Sequence, residues 1–136
     1  MGLAERRAAK EFETNQFPAL KAKVVAAAGY DVPMEIDWES LSTLEYAHLY
    51  TEAWPKVYFE TLAQGLSNIT VDQMGKDALK AALKKIIIKN TDSHSSAPSC
   101  YKFENGVLIF DHQPCTNVDD IKDRARELQK MLEAKL

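Results

Sequence analysis

The side chains with the richest chemistry gather between residues 94 and 115, where His94, Cys100, His112 and Cys115 stand. Their nitrogen and sulfur donors suit tetrahedral zinc. The spacing argues against it, because a zinc knuckle sets two ligands two to four residues apart in each half and only His112 and Cys115 do so. No metal and no cofactor is expected. Asp111 next to His112 suggests an acid/base couple, yet neighbours on a strand point to opposite faces, so this carboxylate does not orient that ring.

A second constellation is aromatic. Tyr46, Tyr50, Trp54 and Tyr58 recur every fourth residue, with His48 on the flank of the same face. Successive i+4 positions on an α-helix drift by only about 40 degrees, so the rings form a slanting stripe. Tyrosine and tryptophan combine apolar area with a polar tip, which suits a pocket wall for a small apolar ligand or a protein partner. The same spacing also describes core packing or a homo-oligomer contact. Tyr46, His48, Tyr50, Trp54 and Tyr58 are the candidate ligand-binding residues, and self-association through this stripe is the companion expectation. The enzymatic alternative uses His48 or His112 as general base.

Lys76, Lys80 and Lys84 make a third stripe, one lysine per helical turn. Nucleic-acid binders add arginines, an overall basic balance and interleaved aromatics. This stripe has none of these, and the net charge is −3, so a solvated helix face is expected and nucleic acid is not. The chain also lacks the phosphate-loop, dinucleotide, paired-cysteine, zinc-protease and nucleophile-elbow signatures.

These groups must be held by elements that periodicity outlines. Leu3, Ala8 and Phe12, then Phe17, Leu20, Val24 and Ala27, give two helices, the second capped by Asn15, carrying Pro18 in its first turn and stopping at Gly29. Residues 32–38 alternate as a half-buried strand, with Met34, Ile36 and Trp38 inward. A helical stretch over 40–66 puts Glu45, Glu52, Lys56 and Glu60 on one face, and Pro55 must kink or divide it. Thr70 and Gln73 have capping-box spacing before a helix over 71–83, with Val71, Met74, Ala78, Leu79, Ala82 and Leu83 inward. Ile86, Ile87 and Ile88 read as a central strand buried on both faces.

After a polar connector over 90–99, Asn105 and Gly106 form a two-residue hairpin loop. It pairs residues whose numbers sum to 211, setting Tyr101 against Phe110, Phe103 against Leu108 and Cys100 against Asp111. Cys115 then lies roughly 13 Å further along the strand, beyond disulfide reach of Cys100 unless the chain bends at Pro114. Val118, Ile121, Ala125, Leu128 and Leu132 share one face of a closing helix capped by Thr116 or Asn117, which should cover the aromatic side of the hairpin.

With 136 residues, 46% hydrophobic and 27% charged, the chain has the composition of one ordinary globular domain over 1–136. No apolar run approaches the roughly 20 residues of a membrane span, and the arginines near the N-terminus precede no apolar signal core, so a soluble cytoplasmic protein without membrane contact is expected. The fold class is α+β, an antiparallel three- or four-stranded sheet with a C-terminal hairpin and helices mainly on one face. The functional expectation is a non-enzymatic binding or protein-interaction module that uses the aromatic helix face.

Overall fold

The computed structural model describes residues 2–43 and 46–136. Helices α1 (Leu3–Asn15) and α2 (Phe17–Ala28) meet at Gln16. Pro18 occupies the first turn of α2, where a missing N–H is harmless, and Gly29 ends that helix at φ 86°. Asn15 is not the cap of α2; it is the last residue of α1.

Strand β1 (Met34–Ile36) is shorter than the alternation over 32–38. Pro33 lacks a donor on one side. On the other, the Asp37 carboxylate accepts the Ser40 N–H at 3.2 Å and opens α3 (Trp38–Leu41), so Trp38 packs on the core from a helix. The helical stretch expected over 40–66 is divided into α3, a 3-10 turn (Ala47–Leu49), α4 (Tyr50–Trp54), a π-helical segment (Pro55–Glu60) and α5 (Thr61–Ile69). Pro55 has no N–H to return to the preceding turn, and the helix widens there instead of ending. Glu52 and Lys56, in phase one turn apart, lie 3.6 Å from each other, whereas Glu45 falls outside the described residues.

The capping box does not form. Asp72 caps α6 (Gln73–Ala82) by accepting the Gly75 N–H at 2.8 Å, and Gln73 turns its amide to Asp77. Thr70 donates instead to the Ala27 carbonyl at 2.7 Å, tying the end of α5 to α2. Starting α6 two residues later leaves Val71 and Met74, expected inside, 77% and 81% exposed, while Leu79 and Leu83 are buried.

Strands β2 (Lys85–Lys89), β3 (Tyr101–Glu104) and β4 (Val107–Asp111) complete a four-stranded sheet in the order β1-β2-β4-β3. The sheet is mixed and mostly parallel, not antiparallel: β1, β2 and β4 run together and only β3 opposes them. The helices between β1 and β2 carry the chain back to its starting end, as a crossover must. The outward run of β3 then returns β4 parallel to β2. Hairpin register follows the Asn105-Gly106 turn, with Tyr101 opposite Phe110 and Glu104 opposite Val107, and Gly106 holds φ 81°. The hairpin lies in the C-terminal part of the chain, with α7 (Ile121–Glu133) after it as the closing helix.

One face of this sheet enters the core through Met34, Ile36, Ile86, Ile88, Leu108 and Phe110. Ile87, Val107 and Ile109 point the other way and remain half-buried, so β2 is not sealed on both faces. On the core side Tyr101 donates to the Arg124 carbonyl of α7 at 2.7 Å, and Lys135 covers the edge carbonyl of Phe103 at 3.0 Å. Thr116 and Asn117 do not cap α7; Asp120 precedes its first turn, and Ala125, Leu128 and Leu132 are buried as their spacing requires.

Helix α5 packs against both α2 and α7. Its approach to α7 depends on Gly65, where an added Cβ would sit 3.2 Å from the Ala125 carbonyl and 2.9 Å from a Leu128 methyl. The leucine could yield, but the carbonyl belongs to a neighbouring helix backbone. We therefore expect Gly65→Val to lower unfolding free energy by about 2 kcal/mol, the overpacking cost exceeding any gain in helix propensity. Urea denaturation checks this, and an unchanged midpoint would refute the close approach.

Candidate functional site

Three of the five candidate ligand-binding residues lie inside the core. Tyr50, Trp54 and Tyr58 are fully buried. Trp54 stacks on Tyr50 at 4.2 Å between ring centres and meets Phe12 edge-on at 5.0 Å, while Tyr58 meets Phe110 edge-on at 5.3 Å. Tyr50 donates to the Thr43 carbonyl at 3.0 Å and Tyr58 to the His112 carbonyl, whereas the buried Trp54 Nε1–H has no hydrogen-bond partner among the described residues. Burial pushes the Tyr58 phenol well above its ordinary range. Tyr46 and His48 stand apart on the surface, at and just after the entry to the 3-10 turn, with Tyr46 47% exposed. Tertiary packing thus splits a stripe that is continuous in sequence.

The histidine and cysteine cluster does not converge. Among the described residues no group of three metal-capable side chains comes together. Cys100 and Cys115 are both free thiols. Burial pushes Cys100 up to about 12 and also raises Cys115, so both stay protonated and unreactive near neutral pH. Asp111 faces the connector instead of His112, accepting from the Thr91 N–H at 2.9 Å and the Thr91 hydroxyl at 2.6 Å. Burial alone would raise this carboxyl, but those hydrogen bonds outweigh it and hold it below the ordinary value. His94 and Ser95, through carbonyls bonded to Gln113 and Asn117, complete the anchoring of the connector.

His112 is fully buried. Its Nδ1 lies 2.6 Å from the Gln113 carbonyl and so carries the proton, which leaves Nε2 a bare acceptor with no hydrogen-bond partner. Lys76, Lys80 and Lys84 are exposed along α6, and the Lys84 ammonium returns to the Lys80 carbonyl at 3.3 Å.

Arg124 is the polar residue that apolar periodicity passes over. It is 2% exposed, yet no carboxylate pairs with it among the described residues. Its guanidinium donates to the Thr61 hydroxyl at 3.1 Å and to the carbonyls of Val118 at 2.8 Å, Lys56 at 3.4 Å and Asn117. Position 124 is three after Ile121 and four before Leu128, on the buried stripe of α7, and that spacing is the signal that places it inside.

The helical layer carries an open groove of about 860 Å³ over α5, walled by α2 and by the start of α7. Ala26, Ala27 and Ala63 supply apolar contact, Gln64, Ser67 and Asn68 supply amides and a hydroxyl, and Lys23, Glu60 and Lys122 set mixed charge along the rim. Because these residues come from three helices distant in sequence, no linear motif announces them. Among the described residues no helix is long and apolar enough to cross a membrane. Comparison with protein-family models, curated proteins and solved structures finds no match.

Two measurements follow from the buried polar groups. Replacing Arg124 with Met leaves buried carbonyls without donors, and we expect a loss of about 3 kcal/mol or more in denaturant unfolding. Arg124→Lys should recover little, since one ammonium does not span four acceptors; full recovery would contradict the clamp. For His112, burial is the main cause that holds the imidazole below its ordinary 6.5, with the Arg124 and His94 charges adding to it and the Gln113 and Ser95 carbonyls opposing it. Well above pH 6.5 neither folded nor unfolded His112 binds a proton, and its contribution to stability is complete. As pH falls from 6.5 towards the depressed folded value, the unfolded chain protonates first and stability declines. Asp111 acts in a separate window, below its ordinary 3.8. The melting temperature should therefore drop between pH 6.5 and 5, and His112→Gln should flatten that slope; a flat profile for the natural sequence would remove the argument.

Proposed function

We propose that this protein is a non-enzymatic binding module that takes a peptide segment of a protein partner in the groove over α5. The observation that carries the reading is the groove itself, whose volume suits a ligand site and whose open, mixed-charge form suits a peptide better than an enclosed apolar molecule. Of the segments that bear the aromatic stripe, only Glu60 at the end of the π-helical segment lines the groove. Tyr50, Trp54 and Tyr58 are buried in the core, and Tyr46 and His48 lie outside the groove lining. Two free thiols, one fully buried, suit a reducing cytoplasmic setting.

Ala26 is exposed and lines the groove, so Ala26→Trp fills it without entering the core. We expect peptides selected from a random displayed library to shift the backbone amide resonances of Lys23, Gln64, Ser67 and Lys122. Ala26→Trp should weaken their binding at least tenfold and leave the melting temperature unchanged. Selected peptides that map elsewhere, bind Ala26→Trp equally well, or fail to emerge at all would each overturn the assignment.

A further inference from the structure

The outward face of the sheet carries the pattern of a self-complementary interface. Strand register aligns Glu35, Ile87, Ile109 and Lys102 in one row across β1, β2, β4 and β3, and Lys85, Val107 and Glu104 in the row beside it. Ile87, Val107 and Ile109 contribute nothing to the core and sit half-buried at the centre of this face. Mostly parallel sheets are normally covered on both sides. Here the helical core covers one, and the other carries Ile87 of β2, between Lys85 and Lys89, beside Val107 and Ile109 of β4, a small apolar centre within a charged margin.

We infer that a second copy of this chain covers this face. Two sheets related by a two-fold axis parallel to the strands, passing between β2 and β4, bring Ile87 of each copy over Ile109 of the other. The same operation sets Glu35 opposite Lys102 at both margins. An axis across the strands through this row would instead place Glu35 on Glu35 and Lys102 on Lys102. Among arrangements that keep the isoleucine row against itself, charge therefore selects the first, an isologous dimer. Four strands of three to five residues, about 4.8 Å apart with about 3.3 Å per residue, present roughly 300 Å² on each copy and so bury roughly 600 Å² in total when two pack. That is below the usual size of a stable interface, so the dimer is a weak, transient one. The groove over α5 belongs to the helical layer, and pairing through the sheet leaves it open in both copies.

Sedimentation equilibrium between about 5 and 500 μM tests this independently of any peptide. The natural sequence should pass from monomer to dimer across that range, and Ile109→Lys should raise the dissociation constant at least tenfold. Lys102→Glu should weaken the dimer, and Glu35→Lys combined with Lys102→Glu should restore it, because the cross-copy pair is then re-formed with its signs exchanged. Glu35 also contacts Lys85 at 3.1 Å within one copy, so Lys102→Glu is the cleaner single change. Both charge variants alter exposed side chains and remain readable if Ile109→Lys disturbs folding. A natural chain that stays monomeric throughout, or a dimer indifferent to Lys102→Glu and to the exchange, overturns the inference.

Discussion

A buried guanidinium that forms no ion pair within 4 Å among the described residues joins the parts of this protein that sequence separates most. Arg124 reaches the Lys56 carbonyl in the π-helical segment, the Thr61 hydroxyl at the start of α5, and the Asn117 and Val118 carbonyls ahead of its own helix. Burying an isolated charge is costly, but each hydrogen bond from a charged donor contributes roughly 1.5–3 kcal/mol, and four of them offset much of that cost. Only a planar fork with five donors serves acceptors in these separate directions. The clamp fixes α7 against α5, and that contact builds one wall of the groove.

The aromatic stripe depends on the same region. On a regular α-helix, rings spaced by four drift steadily around the axis. The π-helical segment after Trp54 rotates less per residue and offsets that drift, so Tyr58 stays on the buried side with Tyr50 and Trp54. Tyr58 then reaches the His112 carbonyl just beyond the end of β4, as Tyr101 reaches the Arg124 carbonyl in α7. These phenols thereby tie the helical layer to the sheet through main-chain acceptors, so the Tyr50 and Tyr58 O–H donors are already committed within the fold.

What the sequence disclosed follows the range of each signal. The Asn105-Gly106 turn is local, and the register it sets is the register observed. Pro18 and Gly29 are equally local and mark the ends of α2. Strand direction is not local, since β1, β2 and β4 meet only after long crossovers. Even so, the Ile86-Ile87-Ile88 run and the apolar Val107-Leu108-Ile109-Phe110 run carried the signature of a parallel sheet, apolar on both faces, and an antiparallel reading did not account for it. Thr70 was misassigned for a related reason: its hydroxyl had a better partner in Ala27 on another helix than in the turn that follows it. The groove, assembled from α2, α5 and α7, had no sequence signal at all.

Placing most of the large rings inside sets the character of the surfaces left outside. Phe12, Tyr50, Trp54, Tyr58 and Phe59 are all buried, and the groove presents alanine, serine, amides and single charges. Strong interfaces concentrate energy in tryptophan, tyrosine and arginine anchors, so under the proposed function a groove of this composition would hold one peptide weakly. Affinity must then come from geometry or from repetition. Two copies joined through their sheets would present two such grooves on one rigid body, and a partner offering two segments would bind the second at a high effective concentration without any new contact in either groove. On this account the apolar outward face of the sheet and the polarity of the groove are connected features: the weakness of one surface gives the other its use.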